Sequence, residues 1–123
     1  MNTLTKQPSG SANISLAAGQ FTLQAGTYSL IASAPARRVD NHKARLYNVT
    51  DAAVVADGTS TRARGGNDST DGYSHIYTFF TIASAKVYRI EHRFATTRAA
   101  DGFGGATGFD QEVYTIVQIF KLS

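Results

Sequence analysis

The chain of 123 residues contains no cysteine and no tryptophan, and it has only two prolines and one methionine. The absence of cysteine excludes disulfide bonds, thiol nucleophiles and metal sites built on thiolate ligands. No apolar run approaches the roughly 18 residues that a membrane-spanning helix needs, so we expect no membrane insertion. The first residues also lack the basic and then apolar pattern of a signal peptide.

Charge is also scarce, because Asp, Glu, Lys and Arg together make up 17% of the chain and the net charge is only +3. A hydrophobic content of 42% with so little charge is typical of a folded globular domain. A chain of this length predicts one domain, which should bury about two-thirds of the surface that its unfolded form exposes. Residues 1–13 are polar and include Pro8 and Gly10, so we predict a flexible arm there and one domain over residues 14–123.

Short alternating segments fill the rest of the chain. Phe21 and Leu23 point to one side of such a segment, and a turn at Ala25–Gly26 leads into the next one. Dense glycine in residues 57–72 and 99–110 favours loops over helices. The pattern predicts an all-β antiparallel sandwich of about eight strands.

Two segments of this predicted sandwich carry a more specific expectation. Pro35 lacks an amide donor, so we expect it to end the strand that precedes it. Residues 86–95 fit either a strand or a helix, because Val87, Ile90 and Phe94 also have helical spacing. Their β-branched and aromatic content favours a strand.

Two predicted strands are apolar on both sides, namely residues 76–82 and residues 112–122. A strand in a two-sheet sandwich has one inner face, so the second apolar face needs cover from a loop, from the arm or from another chain. We favour a closed homo-oligomer, the commonest source of such cover. Which side of the last strand lies in the interface stays open, and the candidates come from both sides: Val113, Tyr114, Ile116, Val117 and Phe120.

Several short sequence blocks resemble a known family. The block GQFTLQAGTY at residues 19–28 resembles the first hairpin of C1q/TNF-like jelly rolls. Five further blocks resemble, in order, a domain found at the C-termini of bacteriophage tail-fibre and related virion proteins. They are ASAPA at 32–36, HKARLYNVTD at 42–51, IEHR at 90–93, GFG at 102–104 and EVYTIV at 112–117.

This resemblance implies a homotrimeric jelly roll without enzymatic activity or cofactor, displayed on the virion surface after assembly in the host cytoplasm. Its partners would be other virion proteins of the capsid or the tail. The implied role is either a capsid decoration (cement) protein or the receptor-binding tip of a tail fibre, and the sequence does not separate the two. In such trimers one sheet packs around the threefold axis, which agrees with the apolar last segment.

No catalytic or metal-binding pattern stands out in the sequence. The three histidines lack the His-x-x-x-His spacing of zinc sites, and there is no Gly-x-Ser-x-Gly motif. Ser74 and His75 are adjacent, so in a strand their side chains point to opposite faces. We therefore expect no enzymatic activity, no metal and no cofactor.

Basic residues cluster near the middle of the chain, where Lys43 and Arg45 accompany the candidates named below. Such charge suits an anionic polysaccharide, a phosphate or an acidic capsid surface. Nucleic acid is not expected, because the net charge is modest and no aromatic residues are interleaved with the basic ones. An alternative function is a carbohydrate-binding module that recognises host surface polysaccharide through exposed rings. The candidate contacts are Arg37, Arg38, His42, Arg62, Arg64, Tyr73, Phe103 and Phe109.

Overall fold

The computed structural model describes residues 14–17, 19–65, 70–96, 102, 104, 108 and 114–123. These residues form strands and connecting segments, without a helix. None of them belongs to a helix long and apolar enough to cross a membrane. The strands of this part of the chain are β1 (Ile14–Ala17), β2 (Gln20–Leu23), β3 (Gly26–Arg37), β4 (Asp40–Asn48), β5 (Ala53–Asp57), β6 (Thr61–Ala63), β7 (Asp71–Ile82), β8 (Lys86–Phe94) and β9 (Ile116–Lys121).

The strands form two antiparallel sheets. A six-stranded sheet has the order β1-β2-β8-β4-β5, with β6 also paired to β4, and a three-stranded sheet has the order β7-β3-β9. The longest pairing joins β3 and β7, from Gly26 opposite Ile82 to Arg37 opposite Asp71. The predicted all-β antiparallel class is therefore confirmed.

The hydrophobic core lies between the two sheets, and both sheets contribute alternate residues to it. Because successive side chains of a strand point to opposite faces, every second residue of β2, β3 and β4 is buried. Phe21 and Leu23, which were predicted to point to one side of their strand, are both buried on the core side. The buried cluster consists of Phe21, Leu23, Tyr28, Leu30, Ala32, Ala34, Ala44, Leu46, Ile76, Tyr88 and Ile90.

Pro35 lies inside β3, so the prediction that it ends a strand is wrong. Among the described residues β9 pairs with β3 only from Tyr28 to Ser33, and none of them forms a strand beside Pro35 on that side. Two residues after Pro35, the N–H of Arg37 donates to the carbonyl of Gly102 at 2.9 Å, away from β7. The backbone nitrogen of Pro35, which has no hydrogen to donate, faces the same side as that of Arg37. Its lack of a donor therefore costs the pairing of β3 with β7 no hydrogen bond.

Other predicted segments have mixed outcomes. Residues 86–95 were predicted to form a strand in preference to a helix, and this is confirmed by β8. The predicted loop 57–72 contains a short strand, β6. The predicted last strand begins later than expected, with β9 at Ile116. The arm 1–13 and most of the predicted loop 99–110 lie outside the described residues.

A buried hydroxyl joins the two sheets at the point where β4 passes from its pairing with β6 to its pairing with β5. Ser74 of β7 is fully buried, and its Oγ accepts the N–H of Ala44 of β4 at 2.9 Å. The same hydroxyl donates to the carbonyl of Thr59 at 2.7 Å. Gly58 donates its N–H to the carbonyl of Ala44 at 2.8 Å, so both backbone groups of Ala44 are bonded in the gap between β6 and β5, on the side of β4 away from β8.

Ser74→Ala is expected to lower the free energy of unfolding by about 1–3 kcal/mol, because it leaves a buried N–H and a carbonyl without their partner. Urea unfolding followed by circular dichroism measures the change. Ser84→Ala, in the exposed turn before β8, is the matched control and should stay within about 0.5 kcal/mol of the unmodified chain. Equal stability of the two variants would contradict the bridging role of Ser74.

Candidate functional site

The side of the three-stranded sheet that faces away from the core is apolar and exposed. On β7, Tyr77 and Phe79 are 66% and 76% exposed. On β9, Ile116 and Phe120 are 49% and 55% exposed. We call this surface the outer apolar face, and its large exposed members are Ile31, Tyr73, Tyr77, Phe79, Tyr114, Ile116, Phe120 and Leu122.

The register of the three strands brings these side chains onto one surface. Ser29 of β3 lies between Phe79 of β7 and Phe120 of β9. Ile31 likewise lies opposite Tyr77 on one side and opposite a glutamine of β9 on the other. Because side chains alternate along a strand, the odd-numbered residues of β3 and β7 and the even-numbered residues of β9 point outward together.

Charged side chains stand only at one end of this face among the described positions of β3 and β7. Arg37 and Asp71 pair there across the two strands, with Nε and Oδ1 3.6 Å apart. At the other end the hydroxyls of Thr27 and Thr81 are hydrogen-bonded at 2.9 Å. The outward positions between these two pairs hold aromatic, aliphatic, hydroxyl and imidazole groups. Depletion of charge together with aromatic enrichment is typical of the core of a protein interface.

A row of rings runs along β7 within this face. The rings of Tyr73 and His75 stack with their centroids 6.1 Å apart and their planes 9° apart, and Tyr77 follows at 6.1 Å from His75. The Nδ1 of His75 lies 3.1 Å from the Oγ of Ser33 on the neighbouring strand. A serine triad also has a carboxylate that orients its histidine, and none of the described carboxylates is bonded to this ring.

The predicted interface residues divide between the two sides of β9. Ile116 and Phe120 point outward and Tyr114, which precedes β9, is exposed, whereas Val117 is half-buried and packs against the core. Val113 lies outside the described residues. A partner can therefore reach the outward-facing residues of β9. Which side of the last strand faces outward is the question that the sequence leaves open.

Two residues that the predicted interface omits are the most exposed large apolar side chains of the outer apolar face, Tyr77 and Phe79. The two-sided apolar pattern of residues 76–82 is the signal that identifies them. The sequence does not show that β7 and β9 pair with β3 on its two sides, which brings these residues together with those of β9.

The predicted basic contacts do not form one surface. Arg37 pairs with Asp71 at the end of the outer apolar face, whereas Arg62 lies on the other sheet, 3.8 Å from a carboxylate oxygen of Asp40. Arg38 is half-buried and Arg64 is exposed in the segment after β6. His42 was predicted to contact a partner, but it is only 4% exposed and its ring is not presented at the surface.

The predicted aromatic contacts have different outcomes. Tyr73 lies on the outer apolar face, and Phe103 and Phe109 lie outside the described residues.

Two histidines that are 50 residues apart in the chain meet at one end of the core, because β4 pairs with β8. The Nδ1 of His42 and the Nε2 of His92 are 2.8 Å apart, and Phe94 packs against both rings. Burial lowers the pKa of His42, and burial together with the nearby His42 lowers the pKa of His92 to about 4. Both rings are therefore neutral at pH 7. Within the described ranges no group of three metal-ligating side chains forms around them.

Comparisons with known proteins identify no relative of this chain. No protein-family model, no curated protein and no solved structure matches it. The function of the chain is therefore inferred from the surfaces of the sandwich and from their chemistry.

Proposed function

We propose that the chain is a non-enzymatic structural protein of a virion surface, and that it assembles into a homotrimer through the outer apolar face. The observation that carries this proposal is the exposure of Tyr77, Phe79, Ile116 and Phe120 on one continuous surface. Monomeric soluble proteins rarely expose apolar patches of large extent, and such patches mark interaction sites.

Copies of the same chain are the partners that best fit the outer apolar face. Permanent interfaces are more apolar than the ordinary protein surface and are depleted of charge at their centre, as this face is. A closed ring of identical subunits covers the face of each subunit in the same way. At about 25 cal/mol per Å², burial of a few hundred Å² in each subunit contributes several kcal/mol.

The pairing of the strands supports a jelly roll. β2 pairs with β8, β3 with β7 and β4 with β6, all antiparallel, so the pairs nest around β5. Such nesting is expected when one long antiparallel ribbon is rolled into a double-sheet jelly roll. The resemblance to C1q/TNF-like domains implies a trimer with one sheet around the threefold axis. We assign the three-stranded sheet to that position because its outer face is the apolar one.

The virion assignment rests on the resemblance of the sequence blocks to bacteriophage tail-fibre and related virion domains. It comprises two roles, a capsid decoration protein bound to capsid proteins and a tail-fibre tip bound to tail proteins. The number of copies in each purified virion separates them, because decoration covers the capsid and a fibre tip is present in a few trimers.

The molar mass of the full chain in solution tests the assembly. Light scattering coupled to size-exclusion chromatography is expected to give three times the chain mass of 13.2 kDa at micromolar concentration. A stable mass of 13.2 kDa would overturn the proposal. A measured molar mass of twice the chain mass would agree with assembly through the outer apolar face but would overturn the threefold arrangement.

The row of rings on β7 supports a second candidate function, a carbohydrate-binding module for host surface polysaccharide. Tyr73 is 53% exposed and stacks on His75, so an extended aromatic surface is accessible at the end of the row. Aromatic rings offer large, rigid apolar area with a polar handle, which suits the apolar side of a sugar ring. On an array of neutral glycans we expect Tyr73→Ala to lose the binding of the unmodified chain. The absence of any signal from the unmodified chain would reject this candidate.

A further inference from the structure

The outer side of the six-stranded sheet collects basic residues that are far apart in the sequence. Lys43 of β4 lies directly opposite Arg93 of β8, and Tyr47 lies opposite Arg89. From the other side of β4, Arg62 of β6 lies opposite Asn41, two residues before Lys43 and on the same face of the sheet. We call this surface the basic face, and its cations are Lys43, Arg45, Arg62, Arg89 and Arg93.

Carboxylates neutralise only part of the basic face, since Asp57 of β5 lies opposite Arg45 and Asp40 lies 3.8 Å from Arg62. Glu91 accepts hydrogen bonds from Arg45 at 2.7 Å and from Arg89 at 2.6 Å. Partial burial works in the opposite direction, but these bonds hold the pKa of Glu91 below its usual value. Both guanidinium groups also lie over the ring of Tyr47, at 5.3 and 5.1 Å from its centroid. Two cations therefore share one anion, and their positions are held by the ring and by the carboxylate.

Lys43 and Arg93 are left without such compensation. Both are exposed, and no hydrogen bond or ion pair joins either side chain to another described residue. Like charges directly opposite each other on one face of a sheet destabilise it. A negatively charged partner would remove that repulsion, so the pair is complementary to an anion from outside the chain.

The surroundings of this pair favour a sugar polymer over other anions. The groove at this pair is also lined by Ser60, Thr61 and Arg62, whose hydroxyl and guanidinium groups can hydrogen-bond to sugar hydroxyls. Its carboxylates are Asp57 and Glu91, and cations outnumber them there. The centre of the basic face is charged, whereas the centre of a protein interface is depleted of charge. Stacking of nucleic-acid bases needs open aromatic surface, and the Tyr47 ring is covered by two guanidinium groups.

We propose that the basic face binds an acidic polysaccharide that carries a carboxylate on its repeating sugar. Lys43 and Arg93 bind the carboxylates, and the planar guanidinium of Arg93 matches the two oxygens of a carboxylate. The groove residues Ser60 and Thr61 bond to the hydroxyls of the same chain of sugars. This site lies on the sheet opposite the outer apolar face, so it does not depend on the proposed assembly.

Affinity electrophoresis of the full chain tests this proposal with polygalacturonate and with its fully methyl-esterified form, which has the same backbone without charge. We expect retardation by polygalacturonate alone, and we expect it to weaken as salt is added. The double variant Lys43→Gln/Arg93→Gln should bind about tenfold more weakly or worse, because two charge-assisted contacts are lost. Lys121→Gln removes a cation from the other sheet and serves as the matched control, with unchanged retardation.

Lys43→Glu separates loss of the site from loss of the fold. It places opposite charges across β4 and β8, so the melting temperature should rise while binding is lost. Equal retardation by the charged and esterified polymers would overturn the proposal, as would full binding by folded Lys43→Glu or by the double variant. Binding of duplex DNA in place of polygalacturonate would assign the basic face to nucleic acid.

Discussion

Phe79→Asp is expected to convert the proposed homotrimer into a monomer of 13.2 kDa without unfolding the domain. Phe79 is 76% exposed in the isolated chain, so a carboxylate there stays in water and costs the folded monomer little. In the assembly the same carboxylate would be buried without a partner, which costs several kcal/mol for each subunit. Light scattering over a range of concentrations measures the mass, and circular dichroism checks that the strands are retained.

A matched control for Phe79→Asp comes from the other sheet. Val54 of β5 is 43% exposed and apolar, and it lies away from the outer apolar face. Val54→Asp makes the same kind of change and should keep three times the chain mass. If Phe79→Asp also keeps that mass, the outer apolar face is not the interface. If both variants dissociate, the assembly does not depend on this face in particular.

Acidification from pH 6.5 to pH 4.5 is expected to lower the free energy of unfolding by about 1–2 kcal/mol, mainly through His92 of the His42–His92 pair, because solvent screens part of the effect at this partly exposed ring. The folded pKa values of both histidines lie below the usual 6.5, so the unfolded chain binds more protons in this range. Stability from the pair is complete above pH 6.5 and is lost progressively as the pH falls toward about 4. Burial opposes the first added proton, and the second removes the hydrogen bond between the rings.

The pH dependence of urea unfolding tests the role of the histidine pair. His92→Gln keeps a hydrogen-bonding group near the Nε2 position and cannot titrate, so its stability should change less over the same range. His75→Gln is the matched control, since His75 lies on the outer apolar face, and it should keep the steep profile. Parallel profiles for the unmodified chain and His92→Gln would contradict the assignment to this pair.

Local patterns predicted the strands well where one face is buried and the other is wet. In β3 and β4 alternate small or apolar residues point inward, as the period-two pattern predicts. The turn after β4 is a local feature of the same kind, since Asn48 and Asp51 are three residues apart and bond to each other across it. Such features depend on residues a few positions apart, and these are visible in the sequence itself.

Features that depend on pairing between distant strands were not predictable in this way. Pro35 is tolerated because β9 ends before it reaches that position, which no property of the neighbouring residues indicates. The meeting of Ser33 with His75, 42 residues later, follows from the register of β3 with β7. The opposition of Lys43 and Arg93 follows in the same way from the register of β4 with β8.

Alternation within a strand is a local property, so the residue pattern alone is enough to show that residues 76–82 and the last strand are apolar on both sides. The three-dimensional arrangement is needed to show that their outward halves flank β3 and form one face, and that the cations of β4 and β8 gather on the opposite sheet. Strand order and register are set by contacts between segments far apart in the chain. A shift of one residue in register would turn every side chain of a strand to its other face, which is why the sequence alone leaves these surfaces open.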